Sequence, residues 1–285
     1  MFGPSSVPKP KYRSRWRTAA GIAYYRLRRR VSWMLGNKRF ARLRRDEPLR
    51  HVHFTHRTPL LRQLRNVEMQ LQHNKIINLR LAAQRMDGLV LQPGETFSYW
   101  KTIGKPTRRQ GYVDGMVLHH GTVRAGVGGG LCQLSNLIYW MTLHTPLTVT
   151  ERYRHGYDVF PDAGRKQPFG TGATCFYNYL DLQIENRTET CYQLRIWLTD
   201  TDLVGEWRAD SPASHRYEIT ETRHWITQEW WGGYVRHNVI CRNRFDAEGR
   251  WLDEQFVAEN HAIMMYEPCL PEKANPDEVP GRSDL

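Results

Sequence analysis

Nowhere in the 285-residue chain do apolar residues run for the roughly 18 positions that a membrane-crossing helix needs. Cysteine is scarce. The five present (Cys132, Cys175, Cys191, Cys241 and Cys269) are odd in number and widely spaced, with no Cys-x-x-Cys pair. That excludes a disulfide framework and a zinc signature, and it fits a reducing compartment. Acid is nearly missing from the first 50 residues, which hold 15 Lys and Arg against Asp46 and Glu47 alone. The whole chain has 41 basic and 29 acidic residues, so the remainder carries 26 against 27 and is close to neutral. The basic excess is therefore a property of the N-terminal arm, not of the body. A secretory signal is not apparent either: the apolar run from Thr18 to Tyr25 is short and leads into Arg26, Arg28, Arg29 and Arg30. We expect a cytoplasmic protein, membrane-peripheral where the arm meets lipid.

What is present reads as an ordinary globular protein. A content of 40% hydrophobic and 25% charged residues excludes wholesale disorder, collagen and coiled coil. The pattern predicts an α+β fold: a helical first half, with a central helix after a glycine-rich loop, followed by a β-rich second half. Four regions are expected. They are a basic flexible or amphipathic arm (1–50), an α+β domain (51–210), a β-rich extension packed on it (211–270) and a frayed tail (271–285). A helix is expected over Thr18 to Arg45, another over 60–86 stopped by Gly88, and a third from Leu131 to Leu143 closed by Pro146. Val113–Leu118 and Thr122–Val127 flank His119-His120-Gly121 as a hairpin, and Thr148–Tyr153 reads as a strand. Further strand-like runs lie at 180–185, 192–198, 214–226, 234–243 and 250–258.

In the arm, Ile22, Tyr25, Leu27, Val31, Trp33, Met34, Leu35 and Phe40 alternate with arginines. Such a basic amphipathic segment suits an anionic membrane surface; the plainer reading is a solvated helix docked on the body. No nucleic-acid motif accompanies it, so no specific nucleic-acid partner is expected.

The most unusual stretch is Gly126-Val127-Gly128-Gly129-Gly130-Leu131-Cys132-Gln133-Leu134-Ser135-Asn136. Consecutive glycines carry an entropic cost and are kept where positive φ or close approach is needed. They place Cys132 in the first turn of a helix, where unpaired N–H groups favour an anion and should lower a thiol pKa. The groups around Gly128, Gly129, Gly130 and Gln133 are then candidates to hold an oxyanion. On this helix Leu134, Leu137, Ile138 and Met141 share one face, while Cys132, Ser135, Asn136 and Tyr139 share the opposite one. A thiol nucleophile needs an oriented base. His155 lies just past the strand after the helix, with Asp158 or Glu151 available to orient it. His119 and His120 are second choices, and His144 is about 18 Å along the helix from Cys132. The plainer readings are a packed cysteine and a structural histidine. Neither a P-loop nor a dinucleotide fingerprint completes the glycines. In a strand His51 and His53 would face the same way, but no acid or cysteine sits beside them and His56 to complete a metal set, and such clusters often lie in loops, so neither metal nor cofactor is expected.

Three stretches together resemble the VanW family: Pro93-Gly94-Glu95-Thr96-Phe97-Ser98-Tyr99-Trp100; Gly128-Gly129-Gly130-Leu131-Cys132-Gln133-Leu134-Ser135-Asn136-Leu137; and Leu143-His144-Thr145-Pro146-Leu147-Thr148 with Glu151-Arg152. The likeness runs from about Asn74 to Trp207 and leaves the basic arm outside. It implies a bacterial protein tied to glycopeptide resistance and the cell envelope. In larger relatives the domain accompanies modules assigned to peptidoglycan binding. The family's motifs include the positions of Cys132, Gln133, Ser135 and His155. Many relatives carry Asp-Ala-Thr-Val where this chain reads Gly172-Ala173-Thr174-Cys175, so an orienting acid would have to come from Asp158 or Asp162. Three functional readings follow. Cys132 with His155 and Asp158 would perform acyl transfer or amide cleavage on a peptidoglycan precursor or stem peptide. A non-catalytic module would bind a peptidoglycan fragment through the glycine loop and the Ser135, Asn136 and Tyr139 stripe. A membrane-surface scaffold would work through the arm.

Overall fold

Helix-compatible sequence is concentrated before residue 144, and β-branched and aromatic residues dominate after it; the architecture follows that division. A computed structural model describes residues 7–11, 13–61, 69–119, 122–159 and 167–267. In chain order its elements begin with α1 (Arg15–Leu35), β1 (Arg39–Phe40), β2 (His51–Pro59), α2 (Met69–Met86), β3 (Leu89–Leu91), β4 (Glu95–Ser98) and α3 (Tyr99–Ile103). They continue with β5 (Asp114–His119), β6 (Thr122–Val127), α4 (Cys132–Leu143), β7 (Thr148–Glu151), β8 (Tyr157–Asp158) and β9 (Gln183–Glu185). The last are β10 (Tyr192–Leu198), β11 (Asp202–Ala209), β12 (Arg216–Gln228), β13 (Tyr234–Phe245) and β14 (Trp251–Met264). The fold is α+β.

The strands form three four-stranded sheets, ordered β1-β4-β9-β7, β2-β11-β10-β3 and β12-β13-β14-β8, with β5-β6 as a separate hairpin. Two of these pairings correct the sequence reading. The first helix ends at Gly36, well before Arg45, because Arg39 and Phe40 turn away to pair in parallel with Glu95 and Thr96. His51, His53 and His56 lie in a strand, not a loop: β2 pairs antiparallel with β11. The second helix begins at Met69 among the described residues, while Leu60 closes β2 with an N–H bond to the Thr201 carbonyl at 2.8 Å. The expected strand after α4 stops at Glu151. His120, Asp162 and the expected tail fall outside the described residues.

The core centres on α4. Leu134, Leu137, Ile138 and Met141 are buried on the face the sequence assigned to packing. Gly205 on β11 lets that face approach: a Cβ there would stand 2.7 Å from the Met141 terminal methyl and 3.1 Å from Leu137. Trp207, also on β11, is fully buried and donates its indole N–H to the Thr142 hydroxyl at 3.1 Å. From the other side α2 buries Leu79, Ala82, Ala83 and Met86. Each buried leucine in such a core contributes about 2–5 kcal/mol against truncation to alanine.

Candidate functional site

The turn that carries the chain from β6 into α4 is built by close approach. Gly128 and Gly130 have φ of +76° and +89°, where a side chain is strained. Gly129 needs its missing side chain for another reason, since a Cβ there would lie 2.1 Å from the Gly115 carbonyl on β5. A Cβ on Gly130 would strike the stem of Lys75, a buried lysine on α2, also at 2.1 Å. Asn78 on α2 clasps the arrangement: its amide donates to the carbonyls of Val113 (3.0 Å) and Gly129 (2.9 Å), and its oxygen accepts the Val113 N–H (2.9 Å).

These contacts use the donors that the sequence reading reserved for an oxyanion. The N–H groups of Gly128, Gly129 and Gly130 go to the carbonyls of Val113, Gly126 and Met116, and that of Gln133 goes to Gly130 at 3.1 Å. The Gln133 side chain donates to the Thr58 hydroxyl and the Pro59 carbonyl, both at 2.9 Å. The loop N–H groups are thus satisfied by the turn itself and the adjoining hairpin, while the Gln133 side chain reaches β2, far away in sequence.

A cavity of about 670 Å³ opens beside this turn, and both Cys132 and His155 line it. Burial pushes the Cys132 thiol above its ordinary pKa, opposed by the backbone amides of Cys175 and of Cys132 itself. The expected lowering at the helix start is therefore reversed, because desolvation outweighs the amides. His155 is pushed down to about 4 by burial and by the neighbouring Arg154. Its ring makes no hydrogen bond among the described residues. Asp158 also lines the cavity, but its carboxylate accepts from the Tyr266 hydroxyl at 2.9 Å and faces Arg236 at 3.6 Å. It is committed to β13 and the chain just past β14 instead of orienting His155. Glu151 is likewise engaged, by the Arg29 guanidinium of α1.

The polar stripe of α4 divides. Asn136 lines the cavity, and its side-chain oxygen accepts the Ala173 N–H at 2.7 Å. Ser135 is fully buried, and its hydroxyl donates to the Ala173 carbonyl at 2.7 Å with the Cys132 backbone carbonyl as a second, longer acceptor at 3.1 Å. Tyr139 is buried under the Arg152 guanidinium, 4.7 Å above its ring. Ser135 and Tyr139 are absent from the cavity wall: Ser135 ties Ala173 to α4, and Tyr139 lies under Arg152, which donates to the Gly172 carbonyl at 2.9 Å. His144 is structural: it stacks on Phe54 at 3.9 Å, bonds the Tyr217 carbonyl at 2.9 Å and is held near pKa 4 by burial.

Among the described residues no cluster of three or more His, Cys, Asp or Glu side chains is arranged for a metal. His53, for example, is held by the Ser211 carbonyl at 2.9 Å and the Tyr192 hydroxyl at 3.3 Å.

Sequence reasoning missed the cavity's cations. Arg26 of α1, Lys75, Lys105 and Arg154 all line it, along with Trp100 and Tyr177. Lys75 had a local signal: together with Gln72 it sits on the same stripe of α2 as Leu79, Ala83 and Met86, where an apolar residue is the rule.

A family model described as "VanW like protein" matches residues 74–208. The chain is 32% identical over 212 residues to a protein of Enterococcus faecalis described as "Vancomycin B-type resistance protein VanW", a match covering 74% of this chain and 76% of the relative. It is also 32% identical over 110 residues to "Uncharacterized protein YoaR" of Bacillus subtilis, covering 39% of this chain and 35% of that one. No solved structure matches.

Proposed function

The chain belongs to the VanW family, and from that premise we propose that it serves glycopeptide resistance by binding an anionic peptidoglycan precursor or stem peptide in the cavity beside α4. The observation that carries this reading is the charge of the cavity wall. Among the described residues of the wall, Arg26, Lys75, Lys105 and Arg154 stand against one carboxylate, that of Asp158, which Tyr266 and Arg236 engage. Cell-wall precursors carry carboxylates along the stem peptide and a diphosphate at the carrier end, so an acid-poor wall with aromatic surfaces matches their chemistry. Resistance in the relative's name supports the cellular context.

A second reading rests on one further observation. The Cys132 thiol shares the cavity with His155, and the backbone amides of Cys132 and Cys175 favour its charged form. In this reading the thiol attacks a peptide carbonyl, His155 takes the thiol proton and passes it to the departing amine, and water later releases the acyl group. The un-ionised thiol and the weakly basic imidazole count against it.

Calorimetric titration with a soluble nucleotide-linked muramyl pentapeptide tests both. Lys105 is exposed, so Lys105→Glu leaves the fold intact, and it should weaken binding about tenfold at low salt. Cys132→Ser should bind as the wild type does. Binding indifferent to Lys105→Glu and to salt overturns the cavity reading. Loss of vancomycin resistance in a Cys132→Ser strain, with binding intact, moves the conclusion to the covalent one.

A further inference from the structure

Helix α1 is 21 residues long and has no buried residue. At about 100° per residue its surface sorts into two opposite stripes. One is half-buried and meets the body: Thr18, Ile22, Arg26, Arg29 and Trp33. Along it Arg26 donates to the Tyr177 carbonyl at 2.8 Å, Arg29 pairs with Glu151, and Trp33 packs against the core. The opposite stripe collects Trp16, Tyr24, Leu27, Val31, Met34 and Leu35, every one exposed, with Trp16 at 87% and both Met34 and Leu35 at 77%. Arg17 and Arg28 border this apolar stripe on one side and Arg30 on the other, all exposed. A soluble helix normally turns its apolar face inward and its charges outward. Here the docked face carries two arginines and the free face is the greasy one.

We propose that this outward face of α1 lies in the interface of an anionic lipid bilayer, its apolar side chains among the acyl chains and its bordering arginines among lipid phosphates. Three observations select that occupant. No acidic residue precedes Asp46, so the whole segment complements negative charge. A second copy of the helix would bring two arginine rows together with no acid in the segment to pair them. No helix among the described residues is long and apolar enough to cross a membrane, so α1 lies on the surface and does not span it. The placement does not depend on what the cavity binds.

The test uses the full chain with vesicles of pure phosphatidylcholine and of phosphatidylcholine mixed with phosphatidylglycerol. Co-sedimentation is expected with the mixed vesicles only. The Leu27→Glu/Met34→Glu double variant alters exposed positions and should keep the melting temperature while partitioning about tenfold or more weakly. Trp16 should contribute a blue-shifted emission on binding, read as the difference between wild type and Trp16→Phe. Three results overturn the proposal: no retention on mixed vesicles, retention unchanged in Leu27→Glu/Met34→Glu, which would mean charge alone, or a dimer seen by light scattering that the same variant dissolves without any vesicle binding.

Discussion

Helices α1 and α4 are both rich in apolar side chains, and they end in opposite situations. Of the 12 residues of α4, eight are buried, and its contacts run to β11, to β2 and to the segment after Gly172. Of the 21 residues of α1, none is buried, although its sequence carries two tryptophans, two tyrosines and several aliphatics. Apolar content states how much surface must leave water. It does not state whether the surface that receives it belongs to the same chain.

Three measurements sharpen this contrast, and the largest effect is expected at α4. Leu137 is 1% exposed and sits over Gly205, so Leu137→Ala should cost about 3 kcal/mol in chemical denaturation. A loss below about 1 kcal/mol would mean that the core collapses around the gap and that α4 is not its centre. Next comes the cavity. His155 and His144 have folded pKa values near 4, below the unfolded value, so the folded state disfavours their charged forms. The unfolded chain therefore binds more protons between about pH 6.5 and 4, and stability present above pH 6.5 is lost as pH falls through that window. His155→Gln should remove about 2 kcal/mol of that loss, measured as the difference between denaturation midpoints at pH 7 and pH 4.5. An unchanged pH slope would show that His155 is solvated in the native state. The smallest effect belongs to α1. Leu27→Ala should change stability by less than about 0.5 kcal/mol, since the side chain touches water on the folded protein. A larger loss would bring α1 into line with α4 and leave no free apolar face.

The same contrast explains what the sequence disclosed. The limits of α4 were legible because glycines precede it and Pro146 follows it, and its packing face was legible from 3.6-residue periodicity. The end of α1 was not, since what stops it is a parallel pairing with Glu95 and Thr96, some fifty residues away. The site was half legible. Cys132 and His155, proposed as nucleophile and base, and the glycines, proposed to hold an oxyanion, all line one cavity, and the close approach expected of the glycines is present at Gly115 and Lys75. Their electrostatics were misread because burial at Cys132 and His155 outweighs the helix start, and because the loop donors are taken by the carbonyls of Val113, Gly126, Met116 and Gly130. Lys75 was overlooked because a lysine inside an apolar helical stripe looks like noise until a loop is seen packed on its stem.

The pairing of β2 with β11 has a consequence for how this protein is made and trimmed. Residues 51–59 find their partners only at 202–209, so the ribosome must deliver most of the chain before that sheet can zip. A shortened version cut to the family-matched stretch would discard β2 and leave the outer rim of β11 with open amides and carbonyls, inviting another molecule to take the vacant place.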